Sequence, residues 1–120
     1  MIKRADELRV EYSPNLKGGK ETVKIINILE NEDNYGTGRL FGVSIIPVGG
    51  SIGKHRHDGD FETYYILKGK ARVNDNGNEQ ILGPGDMTGC KDGDYHAIEN
   101  IGDCDLEYIA VILYTQQKQQ

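Results

Sequence analysis

Short runs of β-branched and aromatic residues alternate with polar, glycine-bearing stretches along almost the whole chain. The apolar-rich runs are 22–29 (TVKIINIL), 39–48 (RLFGVSIIPV), 62–69 (ETYYILKG), 70–75 (KARVND), 87–90 (MTGC), 95–100 (YHAIEN) and 106–115 (LEYIAVILYT). Each is short, bounded by turn residues and rich in strand formers, so each predicts a β-strand. The intervening segments NLKGGKE, ENEDNYGTG, GGSIG, GPGD, KDGD and IGDCD read as loops and turns. Asn76-Gly77 sits between KARVND and EQILG and predicts a tight hairpin. No stretch carries a capped i, i+3, i+4, i+7 apolar stripe, so no helix is predicted. Residues 1–20 are polar and are assigned no strand, and the polar tail 116–120 is predicted to be disordered. The chain is therefore expected to be all-β.

The last predicted strand adds a detail. Leu106, Tyr108, Ala110, Ile112 and Tyr114 share one face, and Ile109, Val111 and Leu113 share the other. One face of a barrel wall meets the interior. An apolar second face needs a cover, and a second copy of the chain is the expected one, giving a homodimer.

Composition narrows the class. The 120 residues suit one domain spanning 1–120, with a core large enough to need no staples. Sixteen glycines against three prolines match a fold with many tight turns. Fourteen basic and nineteen acidic side chains leave a net charge of −5, which argues against a nucleic-acid partner. No apolar run is long enough for a membrane span, and the N-terminal MIKRADELRVEY has no signal-peptide core. A cytoplasmic protein is expected, with Cys90 and Cys104 as reduced thiols.

The stretch HRHDGDFE, residues 55–62, concentrates the candidate chemistry. His55 and His57 lie on the same face of an extended segment. Glu62 is out of phase with them, but the DGD turn can reset the phase, because Gly59 takes a positive φ at little cost. The remaining histidine, His96, opens a later strand. Spacing alone leaves two readings open: polar loop residues, or the ligands of one metal ion.

The segment GGSIGKHRHDGDFETYYILKG resembles the first motif of the cupin superfamily, G-x5-H-x-H-x4-E-x6-G, at Gly49, His55, His57, Glu62 and Gly69. GDMTGCKDGDYHAIEN is similar to the second, G-x5-P-x-G-x2-H-x3-N, at Gly85, Gly93, His96 and Asn100, with Lys91 in place of the proline. Together the motifs span 49–69 and 85–100, with the short spacer of small microbial single-domain cupins. The resemblance implies a jelly-roll β-barrel, open at one end, that holds one divalent ion inside on His55, His57, Glu62 and His96. Three imidazoles and a carboxylate suit Mn, Fe, Ni, Co or Zn.

Other residues receive smaller roles. Tyr64 shares Glu62's face and is the candidate catalytic side chain, with a barrel-wall tyrosine as the alternative. Lys54 and Arg56 are expected to face outward, and Asp58 and Asp60 to serve the turn. Asn100 is expected to orient backbone, and Cys90 to be a buried structural thiol. Function stays broader than fold. The leading expectation is a metal-dependent enzyme on a small polar molecule, dioxygenase-like or sugar isomerase/epimerase-like. The alternative is a non-catalytic module or sensor that binds a small metal-chelating ligand. With Lys54, Arg56 and Lys68 read as outward-facing and Arg72 unplaced, a phosphorylated substrate is disfavoured.

Overall fold

The computed structural model describes residues 1–116, so the tail assigned to 116–120 lies outside the described residues beyond Gln116. Ten strands form two sheets. They are β1 (Val10–Pro14), β2 (Thr22–Asn27), β3 (Gly38–Ile46), β4 (Ser51–Arg56), β5 (Asp60–Lys68), β6 (Ala71–Asp75), β7 (Asn78–Leu82), β8 (Met87–Cys90), β9 (Tyr95–Asn100) and β10 (Leu106–Tyr114). One sheet has the order β1-β2-β3-β10-β5-β8 and the other β4-β9-β6-β7. Every ladder is antiparallel. This is the double-sheet jelly roll expected from the sequence. The Asn76-Gly77 hairpin is present, with both residues at positive φ as a tight two-residue turn demands.

Two strands escape a reading by apolar content. β1 contains a proline and a glutamate, and it forms because it is an edge strand laid along β2. β4, SIGKHR, was expected to begin as a turn, yet it pairs with β9 over Ser51–Arg56. Its polar residues are tolerated because its His55 side reaches the site and Lys54 and Arg56 reach solvent. The described residues also include three single-turn 3-10 helices, Ala5–Glu7, Leu16–Gly18 and Asn31–Asp33. Three residues cannot carry a helical apolar stripe, so no periodicity announces them.

The core lies between the sheets. Val23, Ile46, Ile66, Leu106 and Tyr108 are completely buried there, and Ile98 is 1 % exposed. Along β10 the predicted alternation holds: Leu106, Tyr108, Ala110 and Ile112 are buried, while Ile109 and Val111 are only half-buried on the outer face. A row of cross-strand partners continues that outer face: Val10–Ile26–Val43–Ile109–Tyr65–Met87. The row is apolar in all six strands of the larger sheet, and Val10, Tyr65 and Met87 are exposed.

The edge of β4 is not left open. The turn at Leu16–Gly18 lies against it, and the approach is close enough to require glycine on both sides. A β-carbon on Gly19 would come within 2.1 Å of the Ser51 carbonyl oxygen, and one on Gly53 within 2.0 Å of the Lys17 carbonyl oxygen. This contact places Leu16 and Lys17 beside the mouth of the cavity described next.

Candidate metal centre

The two sheets bring the candidate donors to one point. His55 and His96 are direct cross-strand partners on β4 and β9 of the smaller sheet. His57 follows β4, and its backbone is tied to the turn before β9 by Gly93 N–H to His57 O at 2.8 Å and His57 N–H to Asp94 O at 3.0 Å. That turn closes with Lys91 in the usual proline position, through Asp94 N–H to Lys91 O. Glu62 comes from β5 of the larger sheet. Gly59, at φ +80°, turns the chain between His57 and Glu62, so both side chains point inward despite their odd spacing.

One ligand atom from each of His55, His57, Glu62 and His96 lies within 4.8 Å of the other three. His96 Nε2 is 3.0 Å from His55 Nε2, 3.2 Å from His57 Nε2 and 3.1 Å from Glu62 Oε1. The opposite ring edges show which atoms carry protons. His55 Nδ1 is 2.8 Å from the Gly53 carbonyl oxygen. A carbonyl only accepts, so this nitrogen donates. His57 Nδ1 is 2.7 Å from Asp60 Oδ1, an acceptor in the ionised carboxylate. In the neutral rings the Nε2 lone pairs of His55 and His57 therefore face inward, toward Glu62 and His96 Nε2. Lone pairs at this separation repel, and a cation placed among them satisfies all of them together. The donor set fits a borderline divalent ion.

A cavity of about 340 Å³ opens onto His55, His57 and Glu62. Arg9, Lys17, Arg39 and Arg56 line it, against the carboxylates of Glu11 and Glu62. Four cationic side chains against two anionic ones is the reverse of the chain's net charge of −5.

A model of the cupin domain matches residues 42–112, which contain all four donors. The chain belongs to the cupin family. It is similar to the oxalate-binding protein of Thermotoga maritima, with 40% identity over 113 residues covering 94% of this chain and 93% of that protein. A crystal structure described as a predicted oxalate decarboxylase from Thermotoga maritima superposes with a TM-score of 0.90 at 39% identity, covering 95% of this chain and 99% of the other. The cupin domain of Schizosaccharomyces pombe Cnp3 has a TM-score of 0.71 at 17% identity over 87% of this chain and 68% of that one, a likeness of fold alone.

Electrostatics of the cupin site follow from its burial. Glu62 is 4 % exposed, and burial alone would raise its pKa. The imidazoles of His55, His57 and His96 gathered around it outweigh burial and hold the carboxyl below the usual carboxylate range. The His57 imidazole is shifted upward, first by its hydrogen bond to Glu62, against burial, and then by Asp60. Tyr64 is 2 % exposed, and its ring stacks on His96 with centroids 5.1 Å apart. Burial, reinforced by the Glu62 charge, pushes its phenol well above the ordinary value, so it stays protonated.

Three expectations need correction. Asp60 is not merely a turn residue. It opens β5, is 5 % exposed, and joins His57 to Arg39, whose Nε donates to Asp60 Oδ2 at 2.8 Å. Its spacing of three from His57 was the available signal. The cationic lining was missed too. Lys54 is exposed and lies over the Tyr95 ring, Lys68 pairs with Glu107, and Arg72 pairs with Glu99. Arg56, however, borders the cavity while donating to the Gly93 carbonyl, and Arg9, just before β1, and Arg39, at the start of β3, arrive from positions that no motif marks. The ground for disfavouring a phosphorylated substrate, a pocket without basic side chains, therefore fails.

Asn100 and Cys90 sit as expected. Asn100 Nδ2 donates to the carbonyls of Ile46 at 2.9 Å and Cys104 at 2.8 Å, and its Oδ1 accepts from Gly102 N–H. Cys90 is the cross-strand partner of Glu62, but burial, aided by the charges of Asp94 and Glu62, pushes its thiol up to about 11. It is a buried thiol rather than a thiolate donor, and neither Cys90 nor Cys104 forms a disulfide.

Proposed function

We propose that this cupin, as one domain over residues 1–120, holds a single divalent ion on His55, His57, Glu62 and His96 and uses it to bind a small chelating acid anion of the oxalate class. The observation that carries this reading is the convergence of three imidazoles and Glu62 beside a cavity with cationic walls. A bound Mn, Fe, Co, Ni or Zn ion supplies Lewis-acid attraction for carboxylate oxygens. The three neutral rings leave its charge only partly cancelled, because Glu62 is the single anionic donor in the set. Arg9 is already paired with Glu30 and Glu11, whereas Lys17 forms no ion pair among the described residues, which leaves it available to an incoming anion. The relative described as oxalate-binding agrees with this ligand class.

Catalysis is the second reading, in which the chelated acid is decarboxylated or oxidised. The description of a similar structure as a predicted oxalate decarboxylase and the protonated Tyr64 on the cavity wall favour it. Tyr64 would then act as a proton donor. The sugar isomerase and epimerase branch has no comparable support.

The test is metal analysis of protein purified without added metal, followed by calorimetric titration with oxalate before and after chelation. Stoichiometric metal and oxalate uptake that disappears with chelator are expected. Formate release would favour decarboxylation, and O2 consumption without formate would favour oxidation to carbon dioxide. Metal-loaded protein that binds neither oxalate nor malonate at millimolar concentration would exclude the ligand class.

The same proposal places the chain in a cytoplasmic homodimer joined through the outer face of the larger sheet. The Val10–Met87 row crosses six strands, roughly 25 Å at ordinary strand spacing, with further apolar contact from Phe41, Val111 and Leu113. A face of that extent is more than scattered surface leucines and matches a protein contact. Tyr65→Lys, at an exposed position in that row, should halve the sedimenting mass without lowering metal affinity. A wild-type species of 13.4 kDa at high concentration would exclude the dimer.

A further inference from the structure

We propose that Asp60 and Arg39 are positioning residues for the metal centre, acting through His57: Asp60 fixes the tautomer and strength of that ligand, and Arg39 holds Asp60 in place. The inference rests on reading the four converging side chains as a metal centre. Its basis is a continuous chain of contacts. Arg39 Nε donates to Asp60 Oδ2 at 2.8 Å, and Asp60 Oδ1 accepts from His57 Nδ1 at 2.7 Å. His57 Nε2 then lies 3.2 Å from Glu62 Oε1 and 3.2 Å from His96 Nε2.

The two neighbouring ligands are anchored differently. His55 Nδ1 meets a backbone carbonyl, Gly53 O, which is neutral. His57 Nδ1–H meets a carboxylate, a stronger acceptor that polarises the N–H bond, pushes electron density into the ring and leaves Nε2 the stronger donor. A carboxylate that is 5 % exposed needs its own partner, and Arg39 is within reach from the start of β3. The Arg39 side chain is itself 48% exposed at the cavity, so the chain runs from the open cavity wall to the most buried of the three histidines. Glu62, by contrast, meets only the three histidines among the described residues, with no arginine or lysine paired to it.

The test is titration of Co2+ into wild type, Asp60→Ala, Asp60→Asn and Arg39→Ala, followed by the visible ligand-field bands. Loss of an outer partner commonly weakens metal binding by 10–100-fold. Asp60→Ala is expected in that range with altered band positions, and Arg39→Ala is expected to be weaker by roughly 3–10-fold, below that range. Nitrogen-15 spectra of the metal-free proteins give a second readout. The His57 Nδ1 proton is expected to be exchange-protected in wild type and in Arg39→Ala, and to lose that protection in Asp60→Ala. A purely structural role would lower the melting temperature of the metal-free variants while leaving cobalt affinity and band positions unchanged. Asp60→Ala affinity within twofold of wild type overturns the proposal. Should Asp60→Ala fail to fold, unchanged cobalt affinity in both Asp60→Asn and Arg39→Ala overturns it equally. Wild type that takes up no cobalt refutes the metal centre itself, a result visible without any variant.

Discussion

His96→Ala should lower the affinity for Mn2+ or Co2+ by about 100-fold or more while leaving a folded metal-free protein. Loss of an outer-shell partner already costs 10–100-fold, and His96 is in direct contact distance of all three other donors. Its Nε2 lies 3.0–3.2 Å from each histidine partner and 3.1 Å from Glu62, so no other side chain can take its place without moving β9. The metal-free fold should survive because His96 lies outside the apolar cluster of Ile46, Ile66, Leu106 and Tyr108 that joins the sheets. Calorimetric titration in metal-free buffer measures the affinity, and circular dichroism the fold. A variant that binds within threefold of wild type would remove His96 from the ligand set, and with it the proposed centre.

Metal should also raise the melting temperature by on the order of 10–20 °C, and His55→Ala should abolish most of that rise. At ~1,000 times its dissociation constant a ligand adds ~4 kcal/mol by mass action. For a domain near this size each kcal/mol shifts the midpoint by a few degrees. The ion is expected to tune the fold rather than create it, unlike a zinc finger, because the core between the sheets is closed without it. Ile66→Ala gives the contrast. Ile66 is fully buried, and its truncation should cost ~2–5 kcal/mol with and without metal alike. Val111 is not a substitute for it, since the structure puts Val111 on the half-buried outer face. Melting curves of wild type, His55→Ala and Ile66→Ala, each in chelator and in excess manganese, separate the two effects. A wild-type chain without β-structure in chelator would make the metal structural. Identical wild-type midpoints in chelator and metal would deny the stabilisation.

The strands with strong apolar character were legible because side-chain period and burial coincide in them. β10 is the clearest case: alternate residues from Leu106 to Ile112 are buried, as their spacing predicts. β1 and β4 were not legible, because their pairing energy comes from backbone ladders with β2 and β9 rather than from their own apolar residues. Local composition carries no record of such partners. The three short 3-10 turns were likewise invisible, each being shorter than the period that would reveal it.

The all-β class and the hairpin at Asn76-Gly77 were legible in the chain itself, and the resemblance to the cupin motifs marked the four side chains that converge. The HxH spacing, Gly59 and the two motif segments are local features, and local features survive in one dimension. Tertiary structure alone decided what surrounds those four side chains. Arg39 reaches Asp60 across 21 positions of sequence, and His55 meets His96 across 41. Arg9, Lys17 and Arg39 line one cavity only because β1, the strap beside β4 and the start of β3 end at the same mouth of the two sheets. Cross-strand register sets that meeting, and register is a property of paired strands. The cationic wall that turns the reading toward an acid anion therefore emerged only with the fold.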